Sequence, residues 1–458
     1  MNSNEGAPAS PGARIAGFAA GFLTRPLPEA LVAKGRIHVL DTLAAIVSGS
    51  ALEAGVAGQR YASSVGGTPA ASILGTRLRV PLVEAALANG MAAHADESDD
   101  SHEDSQTHPG CGVVPAAVVV AEACRSTGRD FLAANILGYE MTIRFAQAIG
   151  SAMTFKASSL SSHAYGPLFG AGYASGALMR FDENAFKALL NYLAQEASGL
   201  TTWRLDQAHT LKSYVFAGMP ASNGVKSAAL VRSGFTGGGD VLDRANRNLL
   251  DAICPAPRPE ALTEGLGERF RVLETDIKKY SVGFPIASPL AALESILARG
   301  HFAPTDIDEI RVYYDEDWYK VIGDQTPMPD VNLRYCLAVT VLDGKMTFDA
   351  SHDSSRMGAP DVLAMGSRVR LLGPKPAQDR FAVTIEVLAK DQLHEAFQDR
   401  NVPGRFENPL SAGQVKDKAR ELMEPVIGAQ RTRRVIDLTD RLELLPDVSE
   451  LIAALVPE

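Results

Sequence analysis

Residues 130–145 read Asp130-Phe131-Leu132-Ala133-Ala134-Asn135-Ile136-Leu137-Gly138-Tyr139-Glu140-Met141-Thr142-Ile143-Arg144-Phe145. Phe131, Ala134, Ile136, Tyr139, Ile143 and Phe145 recur at helical spacing, the pattern of a helix packed on several sides. Asp130 stands ahead of the stripe and is expected to cap it. Such a helix needs helical neighbours, and the flanking sequence supplies them. Upstream, Ile37, Leu40, Leu43, Ala44 and Val47 repeat the helical spacing, and Pro115 suits the first turn of a helix running through Val118, Val119 and Ala121. Downstream, the glycines between Gly170 and Gly176 fit close helix packing. Residues from about 13 to 250 therefore read as mostly helical.

The texture changes near residue 270. Residues 309–314 (Glu-Ile-Arg-Val-Tyr-Tyr) look like a strand. Phe381, Val383, Ile385 and Val387 alternate with Ala382, Thr384, Glu386 and Leu388, a period of two. Residues 369–372 are a further strand candidate, and helical runs are expected at 333–343 and 359–365. After Asn408-Pro409 the helical texture returns. Ser411 and Gln414 form a capping-box pattern, followed by Val415, Ala419, Leu422 and Met423 on one face. The expected fold is mainly α: a large all-helical domain of residues 13–270 plus 406–458, with an inserted smaller α+β domain at 271–405. Residues 1–12 are small, polar and Pro-containing and are expected to be disordered.

Of 458 residues, 46% are hydrophobic and 21% charged, ordinary for a globular protein of two domains. A net charge of −10 argues against a nucleic-acid partner, because phosphate binding needs a basic surface. An anionic substrate would need a local cluster of Lys, Arg or His. The four cysteines (Cys111, Cys124, Cys254 and Cys336) show no CxxC pair and no metal-type spacing, so reduced thiols in the cytoplasm are the simplest reading. The N-terminus lacks the basic start and apolar core of a signal peptide. No run approaches eighteen apolar residues, so no membrane span is expected.

Chemistry concentrates in residues 94–108. Six acids (Asp96, Glu97, Asp99, Asp100, Glu103, Asp104) alternate with His94, His102 and His108, with no Lys or Arg among them, and His108-Pro109-Gly110 follows. Three readings stay open. The cluster is a metal site, since His and carboxylate suit divalent ions, although no HExxH or EF-hand spacing is present. It does metal-free acid–base work through His108 or His102, oriented by Asp99 or Asp100. Or it is a helix terminus and loop whose polar groups cap one another. His163 lies in the polar turn Ser161-Ser162-His163-Ala164-Tyr165. Lys212 precedes a Gly-rich start, and Lys278 falls at the change of texture. Each of these three is most simply a capping or surface residue when taken alone. Gly237-Gly238-Gly239 is a turn, since no phosphate-loop lysine follows.

Taken together these segments resemble the MmgE/PrpD family over nearly the whole chain. The resemblance rests on Leu40-Asp41-Thr42-Leu43; on Asn89-Gly90 through His94, Asp99-Asp100-Ser101-His102 and His108-Pro109-Gly110; and on Gly138-Tyr139-Glu140 with Arg144. Lys212, residues 234–237, Lys278-Lys279-Tyr280, Asp343-Gly344 and Asn408-Pro409-Leu410-Ser411 follow in family order. Known members include 2-methylcitrate dehydratase, cis-aconitate decarboxylase and iminodisuccinate epimerase. The resemblance implies a helical domain with an α+β lid, a homodimer, and an active site that uses no metal and no organic cofactor. By position it implies Asp99, Asp100, Ser101, His108, His163, Lys212 and Lys278 as site residues. Glu97 stands where the family usually has Asp, Ser101 where many members have Thr, and Ala287 where several have His. Tyr319 is the candidate for a lid tyrosine.

The expected function is a cofactor-independent lyase of the dehydratase type, acting on a small di- or tricarboxylic acid by proton abstraction beside a carboxylate. Lys212 and Lys278 would hold substrate carboxylates and the developing negative charge. His108 and His163 would exchange protons. Asp99 or Asp100 would orient a histidine, and Ser101, Glu97 and Tyr319 would contact substrate. The alternatives are an epimerase or decarboxylase using the same site, a metal-dependent hydrolase using the acid–histidine cluster, and a silent family member acting as a binding protein.

Overall fold

The computed structural model describes residues 10–150, 159–206, 208–243, 248–323 and 327–458. The chain is mainly α-helical and divides into two compact units. The first comprises Met1–Ala95, Asp99–Thr275 and Ala412–Glu458; the second comprises Asp96–Ser98 and Asp276–Ser411. Nothing in the sequence signals that Asp96–Ser98 groups apart from the residues on either side.

The first unit opens with α1 (Pro11–Ala20), where the Ser10 Oγ accepts a hydrogen bond from the Ala13 N–H at 3.3 Å and Pro11 occupies the first turn. Residues 10–12, expected to be disordered, thus start a helix; residues 1–9 lie outside the described residues. There follow α2 (Glu29–Gly49), α3 (Glu53–Ser64), the two-stranded ribbon β1 (Ala71–Ser72) and β2 (Arg79–Val80), α4 (Leu82–Ala93), α5 (Pro109–Cys124), α6 (Gly128–Ala148), α7 (Ser162–Leu178) and α8 (Glu183–Glu196). A short α9 (Thr210–Ser213) runs through a π-helical turn, Tyr214–Gly218, into α10 (Met219–Arg232).

Helix α6 lies deep in this unit, and all six residues of its apolar stripe are buried. It packs along α7, where a side chain at Gly170 would run into the Gly138 carbonyl and Thr142. The absence of a Cβ is what lets the two backbones approach. Arg144 and Glu140 form a fully buried pair, Nε to Oε1 at 2.6 Å. Arg144 also donates to the carbonyls of Ala261 and Glu264, and Glu140 accepts the Arg271 N–H, so the pair satisfies irregular chain as well as itself.

Two expected helix starts are corrected. Helix α5 begins at Pro109 rather than near Pro115, which sits inside it. The N-cap of α6 is Thr127, whose Oγ1 accepts from the Asp130 N–H at 3.1 Å; Asp130 lies in the first turn and accepts the Thr127 hydroxyl. In both cases a residue with an acceptable cap or first-turn chemistry stands a few positions ahead of the one chosen.

The second unit is built on a four-stranded sheet of β3 (Ile307–Tyr313), β4 (Val369–Leu372), β5 (Val383–Ala389) and β6 (Gln392–Gln398), in the order β4-β3-β5-β6. Strand β4 runs parallel to β3, whereas the β3–β5 and β5–β6 pairs are antiparallel. Ile310 and Val312 of β3 and Val383, Ile385 and Val387 of β5 share one core with α11 (Ala287–Arg299) and α12 (Leu333–Asp343). Tyr319 belongs to this framework: its hydroxyl lies 2.8 Å from the Val312 carbonyl and 2.9 Å from that of Leu372. Its one proton is taken up in joining β3 and β4, a structural use instead of the expected substrate contact.

The chain then returns to the first unit as α13 (Ala412–Thr439), broken at Gly428 (φ 79°, ψ 158°) just after Pro425. Lys418 of α13 reaches Asp41 of α2 at 2.7 Å. No single helix among the described residues is long and apolar enough to cross a membrane.

Candidate active site

His94 is the C-cap of α4 and His108 is the N-cap of α5. Asp99 lies between them, and its Oδ2 meets the Nδ1 of His94 at 2.9 Å and the Nδ1 of His108 at 3.1 Å. A carboxylate oxygen accepts, so each Nδ1 is the donor, and a ring held in that way and carrying one proton has its lone pair on Nε2. The two histidines differ in access. His94 and Asp99 are fully buried, while the His108 side chain keeps 13% of its surface exposed. Of the pair, only His108 can meet a substrate.

Phe216 organises the remaining rings. It is buried in the π-helical turn, a device that recurs at functional sites because the extra residue re-aims side chains. His94 stacks on it at 4.5 Å (interplanar angle 19°) and His163 at 4.1 Å (17°). His163, in the first turn of α7, lies 5.6 Å from His108 and 5.7 Å from Trp203, centroid to centroid. Burial pushes His94 down to about 4, outweighing the Asp99 contact, and Lys212 and His108 lower it further. Burial, then the neighbouring His108 and Lys212, likewise holds His163 well below the usual histidine range. Both rings are therefore neutral at pH 7. The Lys212 Nζ stands 5.4 Å from the Phe216 ring centre and 5.6 Å from that of Trp203. The Ser213 Oγ lies 2.6 Å from the carbonyls of both His94 and His209, tying the end of α4 to α9.

Asp100, expected beside a catalytic histidine, faces the other way. Its Oδ1 accepts the Gly110 N–H at 2.9 Å, and its Oδ2 accepts from the Tyr139 hydroxyl at 2.6 Å and the His38 Nδ1 at 2.8 Å. The reason for glycine in His108-Pro109-Gly110 is local. A Cβ at Gly110 would meet the Tyr139 hydroxyl at 2.6 Å and Asp100 Oδ1 at 2.9 Å, and would also press on Thr42 Oγ1. His102 accepts the Ser105 N–H at its Nδ1 within the turn bridged by His102 and Thr107, so it is a loop residue here. Ser101 is half-buried next to that bridge.

For the metal reading, His94, Asp99 and Cys111 offer ligand atoms within 4.8 Å of one another. The fit is partial: the Asp99 Oδ2 already receives two imidazole N–H groups and the Cys111 thiol lies against the His108 carbonyl at 3.2 Å, while the buried His94 Nε2 has no hydrogen-bond partner among the described residues.

The other expected residues lie in the second unit. The Lys278 Nζ meets Glu97 Oε2 at 3.1 Å, and both side chains are buried. Lys278 thus has a protein carboxylate where a substrate carboxylate was expected. Asp96 pairs with the His352 Nε2 at 3.2 Å and accepts from the Ser98 hydroxyl, which also contacts Ser281. Burial alone would lower His352, but Asp96 outweighs it and raises the ring to about 9.

Two family models match this chain, the MmgE/PrpD N-terminal domain over residues 13–261 and the MmgE/PrpD C-terminal domain over residues 280–444. The chain belongs to the MmgE/PrpD family. Its similar proteins include a cis-aconitate decarboxylase-like protein of Aspergillus oryzae, 24% identical over 84% of this chain and 85% of that protein. The cis-aconitate decarboxylase of Aspergillus terreus is 22% identical, covering 97% of this chain and 95% of its own length. The human cis-aconitate decarboxylase is 23% identical over 96% and 92%. Within this MmgE/PrpD chain, His108, His163, Lys212 and Asp99 converge. Sequence reasoning included His94 in the acid–histidine cluster and in the family pattern but gave it no role, and it passed over Phe216 and Trp203. His94 carried a signal, five residues before Asp99 in the acidic stretch; the two aromatic residues carried none.

Proposed function

We propose that this protein is a lyase acting on a small di- or tricarboxylic acid, with His108 exchanging a proton at the carbon beside a carboxylate. The observation carrying this is the His94–Asp99–His108 arrangement. It fixes the tautomer of His108 with a basic Nε2, beside the Lys212 cation and a neutral His163. In dehydration, His108 takes the proton from the carbon next to the carboxylate. The released electron pair forms the double bond, and the hydroxyl leaves as water with a proton supplied by the site. Lys212 attracts the carboxylate and the charge that builds on it, worth about 1.5–3 kcal/mol for a charge-assisted contact.

Decarboxylation is the second reading, favoured by the activity named for the relatives in Aspergillus terreus and human. There the carbon–carbon bond to one carboxylate breaks, CO2 leaves, the electron pair stays on carbon, and that carbon takes up a proton that His108 has first accepted from solvent. Epimerisation would use the same removal and return of a proton. The test is incubation of the protein with a panel of hydroxylated and unsaturated di- and tricarboxylic acids in D2O, followed by NMR. Solvent deuterium at the carbon beside a carboxylate, with loss of water or CO2, supports the proposal, and the product names the reaction. Turnover that needs added metal and is abolished by EDTA would support a metal-dependent hydrolase instead.

A further inference from the structure

The mechanism above leaves unused a group of buried polar side chains on the other side of the Asp99-Asp100 step. His38 and Asp100 are almost wholly buried, as are Asp41, Thr42 and Tyr139. Burial and Lys34 lower the pKa of His38 despite its bond to Asp100, so the ring is neutral and its Nδ1–H donates to the carboxylate. His38 Nε2 is buried with no hydrogen-bond partner among the described residues. The ring's polar contact is thus directed at Asp100. One turn along α2, burial outweighs the Lys418 contact and raises Asp41 to about 6, with the nearby charges of Asp100 and Asp99 adding to the rise. Three carboxylates are therefore crowded behind the site, and each donor to them fixes geometry as well as charge.

Asp100 transmits that geometry. It holds the Gly110 N–H in the first turn of α5, two residues after the N-cap His108, and it is bonded through the backbone to Asp99. We propose that His38 is a positioning residue for His108, acting through Asp100 to fix both the first turn of α5 and the Asp99 carboxylate. This rests on the reading of His108 as the proton-transferring group. His38 touches no reacting atom; it sets the position from which His108 meets the substrate.

The test compares His38→Leu, which removes the donor, with His38→Asn, whose side-chain amide can donate from near the Nδ1 position. Displacing a reacting group by about 1 Å costs on the order of 100-fold in rate. The expected result is a kcat lowered roughly ten- to a hundredfold in His38→Leu, with KM little changed because Lys212 is untouched, and recovery of most of that loss in His38→Asn. Unchanged kcat in His38→Leu, or an equal loss in His38→Asn, overturns the proposal. If His38→Leu does not fold, His38→Gln keeps a polar side chain but carries its amide near the Nε2 position, away from Asp100. A selective fall in kcat supports the proposal, and wild-type kcat overturns it. A second readout needs no substrate. In protein labelled with 15N-histidine, the His108 resonances, assigned by their loss in His108→Asn, report its tautomer. Loss of the Nδ1–H form in His38→Leu and its retention in His38→Asn support positioning, and no change in His38→Leu overturns it. If the wild type turns over no carboxylic acid, the proposed function fails while this spectroscopic arm still decides the role of His38.

Discussion

Replacing Asp99 with Asn changes one oxygen to an NH2 group at the point where two imidazole rings converge. In the native chain Oδ2 accepts from His94 at 2.9 Å and from His108 at 3.1 Å, with Asp99 fully buried. Each such charge-assisted bond contributes about 1.5–3 kcal/mol, against about 0.5–1.5 for a neutral one. An amide retains a single carbonyl oxygen for the two rings. Where its NH2 faces His108, the Nδ1 must accept, the proton moves to Nε2, and the basic lone pair is lost. A carboxylate-to-amide change behind a catalytic histidine costs about 10⁴ in kcat when it traps the wrong tautomer. The expected loss for Asp99→Asn is therefore about 10²- to 10⁴-fold in kcat, the lower value applying where His108 keeps the carbonyl. The assay is steady-state turnover of the substrate identified in D2O, with circular dichroism to show that the variant is folded. A folded Asp99→Asn protein within about threefold of wild-type kcat would refute the reasoning, since an effect that small is well under the loss of even one charge-assisted bond.

Three further outcomes follow from the buried pairs. His352 is raised from its ordinary value to about 9 by Asp96. A raised folded-state value stabilises fully below the unfolded pKa and is lost as pH climbs through 9, so His352→Gln should cost about 3 kcal/mol near pH 6 and little at pH 10 in urea unfolding. Glu97→Gln removes the carboxylate that meets the buried Lys278 ammonium, and should destabilise by up to about 3–5 kcal/mol, whereas Glu97→Gln combined with Lys278→Met should recover much of that loss. If the single and double variants unfold at the same denaturant concentration, the pair is not structural. Gly110→Ala forces a methyl against Tyr139, Asp100 and Thr42, so an overpacking cost of about 1–3 kcal/mol and a lowered kcat are expected together; wild-type behaviour in both would show that the first turn of α5 is not tightly held.

The helical framework was legible because burial leaves a periodic trace. The stripe of α6 and the alternation through β5 each mark the type of element, although both are buried on nearly every side. Helix starts were less legible, since Pro109 and Pro115, or Thr127 and Asp130, offer similar end chemistry a few residues apart. In the site, His108, His163 and Lys212 were found from chain order within a family pattern, and they do converge on Phe216. The division of labour between Asp99 and Asp100 was not legible. Adjacent side chains point apart, and only the positions of α2 and α6 decide that Asp100 meets His38 and Tyr139 while Asp99 meets the site histidines. Phe216 was hidden for a similar reason, because a π-helical turn has no residue signature that separates it from the helix around it. Lys278 shows the limit of transferring a role by position: its charge is met by Glu97, one methylene longer than the usual Asp.

The most direct measurement is the fate of solvent deuterium with and without His108. On the substrate found in the carboxylic-acid panel, the wild type should exchange a hydrogen with D2O at the carbon beside a carboxylate, and His108→Asn should lose about 10²- to 10⁴-fold of that rate while remaining folded. A folded His108→Asn protein that exchanges deuterium and forms product at the wild-type rate would contradict the assignment of His108 as the proton-transferring group.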